Sequence, residues 1–332
     1  MTNRVLVLLA ACVFSVQAGA QGPSVQYPTK PLRIVVGYPP GGSGDFLTRL
    51  AADEMSKDLG QPVVVENKPG AGGNIAHEFV ARSPNDGYTI LNATHMAINR
   101  ALYKTISYDP DKDFAAVGRI ATGPTLLCIS NNLPIKDLRE MIAYARANPG
   151  KLFHASAGYG SAPHLASVLF ESVAGIRFTH VQFKGGGPAT QSLLAGDTQV
   201  NFATAPTVMG FVRAGRLRAL AVSSKKASPA VPGIPGAEEA GLPGYDFTFW
   251  FGLFVPAGTP PAAIQRLHAA LSKGLAKQDV RDKIALQGMD ATPSASPAAF
   301  EAEVRAETPY WEKLVRDSGA KVESCPRSRN GC

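Results

Sequence analysis

The chain has 332 residues, and its 33 Lys and Arg against 26 Asp and Glu give a formal net charge of +7. Hydrophobic residues make up 45% and charged residues 18%, which excludes a disordered or collagen-like chain. The basic residues are dispersed, with no run longer than Lys225-Lys226, so the charge does not indicate a nucleic-acid surface. The length predicts two domains, each able to bury a core.

The N-terminal segment has the pattern of an export signal. One arginine precedes an apolar stretch over residues 5–16, and Ala18-Gly19-Ala20 follows it. The stretch is too short to span a bilayer, and the small residues match a signal peptidase site. We therefore predict a signal peptide over residues 1–20. Processing as a lipoprotein at Cys12 is the alternative, because Leu9-Ala10-Ala11-Cys12 fits that pattern too.

The remaining cysteines give no metal signal. Cys128 lies in an apolar run and is predicted to be a buried small hydrophobe. Cys325 and Cys332 flank the polar residues 326–331, and a local disulfide between them is possible in an exported protein. We expect residues 324–332 to form a flexible tail. No Cys-x-x-Cys pair occurs and the six histidines lack ligand spacing, so we expect neither a metal nor a cofactor.

The first part of the exported chain alternates apolar strands with amphipathic helices. The predicted strands are residues 32–37, 63–66 and 88–92, and the predicted helices are residues 46–59 and 74–82. This β-α-β-α-β order favours a parallel, doubly wound sheet with right-handed crossovers.

A second alternating block begins near Pro124. Its predicted strands are residues 125–130, 153–156, 180–183, 200–203, 217–223 and 248–255, and its helices are residues 135–148, 162–174 and 188–195. Three more helices follow at residues 261–278, 280–288 and 297–318. Two such blocks with returning C-terminal helices predict an α/β fold of two lobes. Crossovers near residues 121–125 and 248–252 place residues 27–123 and 251–323 in lobe 1 and residues 124–250 in lobe 2.

Three glycine-rich loops each follow a strand and open a helix, at residues 38–45, 156–161 and 183–187. Glycines let backbone N–H groups turn toward a ligand, and a helix N-terminus adds partial positive charge, so these loops favour a small anion. They lack the dinucleotide and P-loop patterns, which leaves a carboxylate as the simplest anion. Ligands bind outside the carboxyl ends of strands in open α/β sheets, so the loops are predicted to face one cleft.

Each loop also has a structural interpretation. Asp45 is well placed to cap a helix after a tight turn, His164 fits a packed or capping histidine, and Lys184 fits a solvated lysine. A serine hydrolase using Ser156 or Ser161 with His164 is a further alternative. Ala162-Pro163 after Ser161 departs from the nucleophile turn that such enzymes require.

Several longer motifs point to a family. They are YPTKPLRIVV at 27–36, PPGG at 39–42, VENKPGAGGN at 65–74, PNDGYT at 84–89, the stretch 156–165, Lys184-Gly185, and FVPAGTP at 254–260. Together they resemble the Bug-type (TctC-like) periplasmic solute-binding proteins of the tripartite tricarboxylate transporter family, from about residue 27 to residue 323.

This resemblance implies a type II-like Venus flytrap, in which each lobe is a doubly wound sheet with flanking helices. It implies a monomeric, non-enzymatic periplasmic receptor that captures a small carboxylate and delivers it to a transporter membrane subunit or, alternatively, to a membrane sensor.

The resemblance also implies ligand-binding residues in both lobes. In lobe 1 they are Tyr38, Gly41, Gly42, Ser43, Asp45, Thr94 and His95; in lobe 2 they are Ser156, Gly158, Gly160, Ser161, His164, Lys184, Ala203, Thr204 and Pro206. Tyr38 stands where Phe is common, and Val181-Gln182-Phe183 replaces the usual Val-Pro-Tyr, so the identity of the solute stays open.

Overall fold

The structure is a computed structural model that describes residues 27–320. The predicted signal peptide with Cys12, and the tail with Cys325 and Cys332, lie outside the described residues. Across residues 27–320, no helix is both long enough and apolar enough to cross a membrane.

Residues 27–320 contain eleven strands and ten α-helices. The strands are β1 (Leu32–Val36), β2 (Val63–Asn67), β3 (Thr89–Ala93), β4 (Phe114–Gly123), β5 (Thr125–Ser130), β6 (Phe153–Ser156), β7 (Thr179–Gln182), β8 (Val200–Thr204), β9 (Leu217–Val222), β10 (Phe249–Pro256) and β11 (Asp290–Ala291). The helices are α1 (Ser43–Leu59), α2 (Asn74–Ala81), α3 (Asn99–Leu102), α4 (Leu138–Ala147), α5 (Ala162–Ala174), α6 (Gly186–Ala195), α7 (Ala205–Arg213), α8 (Pro261–Leu275), α9 (Gln278–Ala285) and α10 (Pro297–Ser318).

The sheet of lobe 1 has six strands in the order β11-β4-β10-β3-β1-β2. β1 pairs in parallel with β2 and β3, as the β-α-β pattern predicted. β10 runs antiparallel to both β3 and β4, so the sheet as a whole is mixed. The sequence prediction omitted β4 because this strand is rich in alanine and glycine, which have weak strand propensity.

The sheet of lobe 2 has five strands in the order β7-β6-β8-β5-β9. β6 is parallel to β7 and β8, whereas β5 is antiparallel to β8 and β9. The chain enters this sheet directly after Pro124 and returns to the first sheet at Phe249, two residues before the predicted boundary. The predicted α/β fold of two sheets is confirmed, and each sheet is mixed.

Helix α7 was not predicted, and it matters because it opens at the end of β8. Pro206 lies in its first turn and Gly210 in its interior, and together they hide the helical pattern in the sequence. Proline is nevertheless favourable in a first turn, because the N–H that it lacks has no partner there. The end of β8 is therefore followed at once by a helix N-terminus.

An aromatic cluster holds the sheet of lobe 2 against its helices. Phe202 of β8 is fully buried, and its ring centroid lies 5.1 Å from that of Phe170 on α5 and 6.5 Å from that of Tyr245. The Tyr245 hydroxyl donates to the carbonyl of Ala166 at 3.0 Å, so the one polar atom in this ring set is satisfied. These contacts fix the end of β8 relative to α5.

Removing the central ring should destabilise the protein strongly. Phe202→Ala is expected to lower the free energy of unfolding by about 3–5 kcal/mol, since it removes buried apolar surface and leaves a cavity. Urea denaturation measures this loss. Phe153→Ala is the matched control, because Phe153 lies in the same sheet with 41% of its side chain exposed and should cost less than about 1 kcal/mol. Equal losses in the two variants would contradict this packing.

Candidate ligand-binding cleft

A cavity of about 110 Å³ lies between the two lobes, several times the space that one water molecule needs. Nine of the predicted ligand-binding residues line it: Tyr38, Gly41, Gly42, Ser43, Thr94, Ser161, Lys184, Ala203 and Thr204. All three glycine-rich loops contribute residues to the lining of this cavity, so the structure brings them to one cleft between the lobes.

The N-termini of four helices meet at this cavity. Each of α1, α5, α6 and α7 contributes its N-cap residue to the lining, namely Gly42, Ser161, Gly185 and Thr204. The first N–H groups of a helix have no partner within the helix and carry its partial positive charge. Four such ends directed at one space create a strong preference for an anion.

Three of these four helices begin without a side-chain cap. Their N-cap residues are Gly42 for α1, Gly185 for α6 and Thr204 for α7, and none accepts a hydrogen bond from a first-turn N–H through a side chain. Only α5 is capped, by the Ser161 hydroxyl, which accepts from the N–H of His164 at 3.4 Å. First-turn N–H groups of three helices are therefore left for other acceptors.

The backbone at position 185 has a conformation that favours glycine. Its φ of 112° lies where other residues are strained, and a Cβ there would come within 3.4 Å of the Pro39 ring across the cleft. Nearby, the Ser43 hydroxyl donates to the Thr204 hydroxyl at 2.7 Å, and both residues are buried. The two lobes thus touch directly through small groups on either side of the cavity.

Asp45 does not line the cavity and instead holds the first loop. Its carboxylate accepts from the N–H of Gly41 at 3.0 Å and from the amide of Asn67 at 2.9 Å, and pairs with Arg49 at 2.9 Å. Burial alone would raise the pKa of Asp45, but the hydrogen bonds from Arg49, Gly41 and Asn67 outweigh it and hold the pKa below its ordinary value.

His95 is also outside the cavity lining and supports Thr94, which lines it. The His95 backbone has a φ of 40°, a strained value for a residue with a side chain. Its ring stacks on Trp250 at 5.1 Å and meets Trp311 edge-on at 5.5 Å, while Nδ1 lies 2.8 Å from the Thr94 hydroxyl. Burial lowers the pKa of His95 to about 3, so the ring is neutral and positions Thr94 by packing and one hydrogen bond.

The loop after β6 contributes Ala157 and Ser161 to the lining, whereas Ser156, Gly158, Gly160 and His164 are not part of the lining. The hydroxyls of Ser156 and Ser161 both donate to the carbonyl of Gly158, at 3.3 and 2.6 Å. His164 Nδ1 accepts from the N–H of Gly160 at 3.3 Å. Pro206, the other predicted residue outside the lining, lies in the first turn of α7.

This loop geometry does not form a nucleophile and base. The Ser161 hydroxyl contacts the backbone N–H of His164 and not its ring, which faces Tyr159 and His180. Burial lowers the pKa of His164 to about 3, which makes the ring a poor base at neutral pH. Among the described residues, the serine and histidine pair required for a hydrolase is not assembled here.

Asn201 and Phe251 are two of the lining side chains that the sequence did not predict. Asn201 lies in β8 with 1% of its surface exposed, and no group in the described part of the chain donates to its Oδ1. A polar residue inside an otherwise apolar strand is a signal that was available. Phe251 of β10 supplies an apolar surface, and nothing in its strand pattern distinguishes it from a core residue. The remaining lining residues that were not predicted are Pro39, Pro40, Gly44, Ala157, Ala162, Pro163, Gly185, Gly186, Gly187, Pro188 and Thr207.

Two mixed α/β lobes around a cleft lined by helix N-termini define a solute-binding receptor. Residues 47–315 match the family described as "Tripartite tricarboxylate transporter family receptor", or TctC. The chain therefore belongs to the TctC family, and the resemblance found in its motifs is confirmed.

Curated relatives agree along nearly the whole chain. "Protein BugT" of Bordetella pertussis is 34% identical over 327 residues, which cover 97% of this chain and 100% of that protein. The "UPF0065 protein in tcbD-tcbE intergenic region" of a Pseudomonas species is 38% identical over 291 residues, covering 87% of this chain and 86% of that protein.

Solved structures show the same architecture. Rpa4515 of R. palustris, solved with adipate, has a TM-score of 0.85 at 34% identity, over 89% of this chain and 100% of that one. MatC from Rhodopseudomonas palustris, solved with bound malate, has a TM-score of 0.81 at 34% identity, over 87% of this chain and 100% of that one. The periplasmic binding protein BugD has a TM-score of 0.83 at 31% identity, over 89% of this chain and 100% of that one.

The role of Asp45 predicts a particular pH dependence. A carboxyl whose pKa is lowered on folding stabilises the folded protein at pH values above the ordinary pKa of that carboxyl. This stabilisation is lost as the pH falls through the pKa that the carboxyl has in the folded protein. Asp45→Asn should therefore lower the free energy of unfolding by about 1–3 kcal/mol at pH 7. The deficit should shrink as the pH falls below about 4, because the unfolded chain then takes up a proton at Asp45 that the folded protein binds only at a lower pH.

Denaturant titrations at several pH values measure this deficit. Asp53→Asn is the control, because Asp53 is exposed on the same helix and its change should leave stability within about 0.5 kcal/mol. A deficit in Asp45→Asn that stays constant from pH 7 to pH 3 would show that the charge of Asp45 is not what holds the loop.

Proposed function

We propose that this protein captures a small carboxylate between its lobes in the periplasm and delivers it to the membrane subunits of a tripartite tricarboxylate transporter. The observation that carries this proposal is the convergence of four helix N-termini, three of them uncapped, on one cavity. In this proposal the protein is a receptor and not an enzyme, and the signal peptide over residues 1–20 exports it.

Electrostatic magnitudes support an anion as the ligand. A partly buried helix N-terminus stabilises a negative charge by up to about 2 kcal/mol. Contributions from several ends together approach the roughly 4 kcal/mol that separates a millimolar from a micromolar Kd. Lys184 adds a positive side chain to the wall, and the cavity lining within residues 27–320 includes no Asp or Glu.

The related structures support the same chemistry. The ligands named for Rpa4515 and for MatC, adipate and malate, are both carboxylates. The oxygen atoms of a carboxylate accept hydrogen bonds from backbone N–H groups, which are what the uncapped helices present here. The apolar surfaces of Phe251 and of Pro39 and Pro40 suit the hydrocarbon part of such a solute.

Transfer to a transporter requires that the ligand shift the equilibrium between the open and closed forms of the two lobes. A solute stabilises a closed form only by its greater affinity for that form. The hydrogen bond between Ser43 and Thr204 supports this proposal, because it joins groups that we assign to different lobes. The lobe boundaries that we propose are residues 27–123 with 251–323, and residues 124–250.

Isothermal titration with succinate, malate and adipate tests carboxylate capture. At least one should bind, and at about 100 times its Kd it should raise the free energy of unfolding by about 2.7 kcal/mol. Gly185→Ala should weaken that binding at least tenfold, because alanine is strained at a φ of 112° and relief of that strain would shift the loop that lines the cavity. Gly210→Ala is the matched control, since a Cβ there meets nothing within 4 Å and Gly210 is outside the lining. Equal binding by both variants, or no heat with any acid, would contradict the proposal.

The transporter role has its own test. Affinity purification of the tagged, exported protein from membranes in the presence of the bound solute should recover a tripartite transporter membrane subunit. Recovery of a sensor kinase in its place would favour the alternative of a solute sensor. The comparison without solute serves as the control, because the receptor should associate through the lobe arrangement that the solute stabilises.

A further inference from the structure

We propose that Gly72 and Asn99 of lobe 1 form a seat for the backbone of Tyr159–Gly160 in lobe 2, and that these four residues are a latch that holds the lobes closed around a bound solute. The inference rests on the proposed function, because it takes closure around a carboxylate as the event that the latch stabilises. It also gives a role to the motif VENKPGAGGN at 65–74, which contributes no residue to the cavity lining.

The end of this motif brings Gly72 against the other lobe. Gly72 lies in a short 3-10 helix, Ala71–Gly73, with a φ of 63° that favours glycine. A Cβ at this position would lie 2.7 Å from the carbonyl oxygen of Tyr159 in lobe 2 and 2.6 Å from the hydroxyl of Tyr103 in lobe 1. Both distances are far below van der Waals contact. The two backbones therefore approach each other only because position 72 has no side chain.

The approach is reciprocal. Gly160 of lobe 2 has a φ of 76°, and a Cβ there would lie 2.9 Å from Asn99 Oδ1 and 3.4 Å from the Leu102 side chain, both in lobe 1. Each lobe thus places a glycine against the other lobe. Gly160 is not part of the cavity lining, so the latch accounts for a glycine of the second loop that the cavity itself does not use.

A buried hydrogen-bond network holds Asn99 within lobe 1. Asn99 Nδ2 donates to Asn74 Oδ1 at 2.7 Å, and the Tyr108 hydroxyl donates to the same oxygen at 2.6 Å. His77 Nδ1 lies 2.9 Å from the Tyr108 hydroxyl, and burial lowers the pKa of His77 to about 3, so its ring is neutral. Such a network makes its members rigid. The lobe 1 half of the latch is therefore fixed by contacts within its own lobe.

The lobe 2 half is held by His164 of helix α5. The Tyr159 ring meets the His164 ring edge-on at 5.4 Å between centroids, and the N–H of Gly160 donates to His164 Nδ1 at 3.3 Å. His164 is buried, with 1% of its surface exposed. Since each half is ordered before the two halves meet, little conformational entropy is lost when they join.

The latch is separate from the ligand contacts, because none of its four residues lines the cavity. A change in the latch therefore acts on the equilibrium between the open and closed forms. When the form that binds the solute tightly becomes less populated, the apparent affinity falls by the same factor. Affinity for a carboxylate is thus a direct measure of the latch.

Alanine at position 72 tests the latch in a Tyr103→Phe background, which removes the hydroxyl nearest to the new methyl group in lobe 1. The closest remaining atom is the Tyr159 carbonyl oxygen of lobe 2. Isothermal titration with succinate, malate and adipate identifies the acid that binds most tightly. Gly72→Ala should weaken its binding at least tenfold relative to the background, because the methyl group keeps the lobes apart.

Gly60→Ala is the matched control in the same background. Gly60 has a φ of 69°, so alanine is strained there to a similar degree, but a Cβ meets nothing within 4 Å and the Kd should stay within twofold. A loss of less than tenfold in Gly72→Ala would overturn the latch and leave carboxylate capture intact. Absence of binding of all three acids to the natural protein would overturn carboxylate capture itself.

A second variant approaches the latch from lobe 2. Gly160→Ala should weaken the same binding, because its methyl group meets Asn99, whereas Gly175→Ala, with a φ of 64° and nothing within 4 Å of a Cβ, should not. The double variant Gly72→Ala/Gly160→Ala should bind within about threefold of the weaker single variant, since one contact is lost only once. Losses that multiply in the double variant would overturn the inference. Gly160→Ala replaces Gly72→Ala if the latter fails to melt cooperatively.

Discussion

The binding site depends on four helices whose N-termini lie at one cavity between the two sheets. Each helix contributes a small positive field, and the fields add because the loops that precede α1, α5, α6 and α7 all reach the same cavity. Glycines recur in these loops, and the φ of 112° at Gly185 is a backbone conformation that favours glycine. The same loops therefore account for the glycine-rich motifs, for the contact between the lobes and for the preference for an anion.

The two crossovers explain how distant parts of the chain form this site. One connection is short, at Pro124, and the other runs through residues 223–248 back to β10. β10 then lies between β3 and β4, so the returning chain is built into the middle of the lobe 1 sheet. Phe251 reaches the cavity by this route, although it follows Ser43 by about 200 residues in sequence. Helix α10 also contacts α5, which places the C-terminal helix against both lobes.

Sequence patterns predicted the strands and helices that are buried or strongly periodic. β5, β6, α5 and α10 have the predicted bounds, because apolar runs and clear caps such as Ser161 and Gly175 define them. β4 and α7 were missed because alanine, glycine and proline weaken the local pattern while tertiary contacts hold the element. The antiparallel course of β10 was also beyond prediction, since strand direction there depends on the crossover from the other lobe.

Sequence patterns predicted that the three glycine-rich loops share one cleft, but they did not predict the direction of individual side chains. A motif places Asp45 and His95 near the cleft, but it does not show that Asp45 binds its own loop or that His95 stacks among tryptophans behind Thr94. Asn201 was overlooked because it lies in a strand and not in a motif. Direction and burial of a side chain follow from packing, which a pattern of residue types does not contain.

A crystal structure of the protein with its bound solute tests the central claim most directly. The account predicts an anionic carboxylate in the cavity, with its oxygen atoms at about 2.7–3.1 Å from first-turn N–H groups of at least two of the uncapped helices α1, α6 and α7. A cationic group against those helix ends, or a solute bound outside this cavity, would contradict the account.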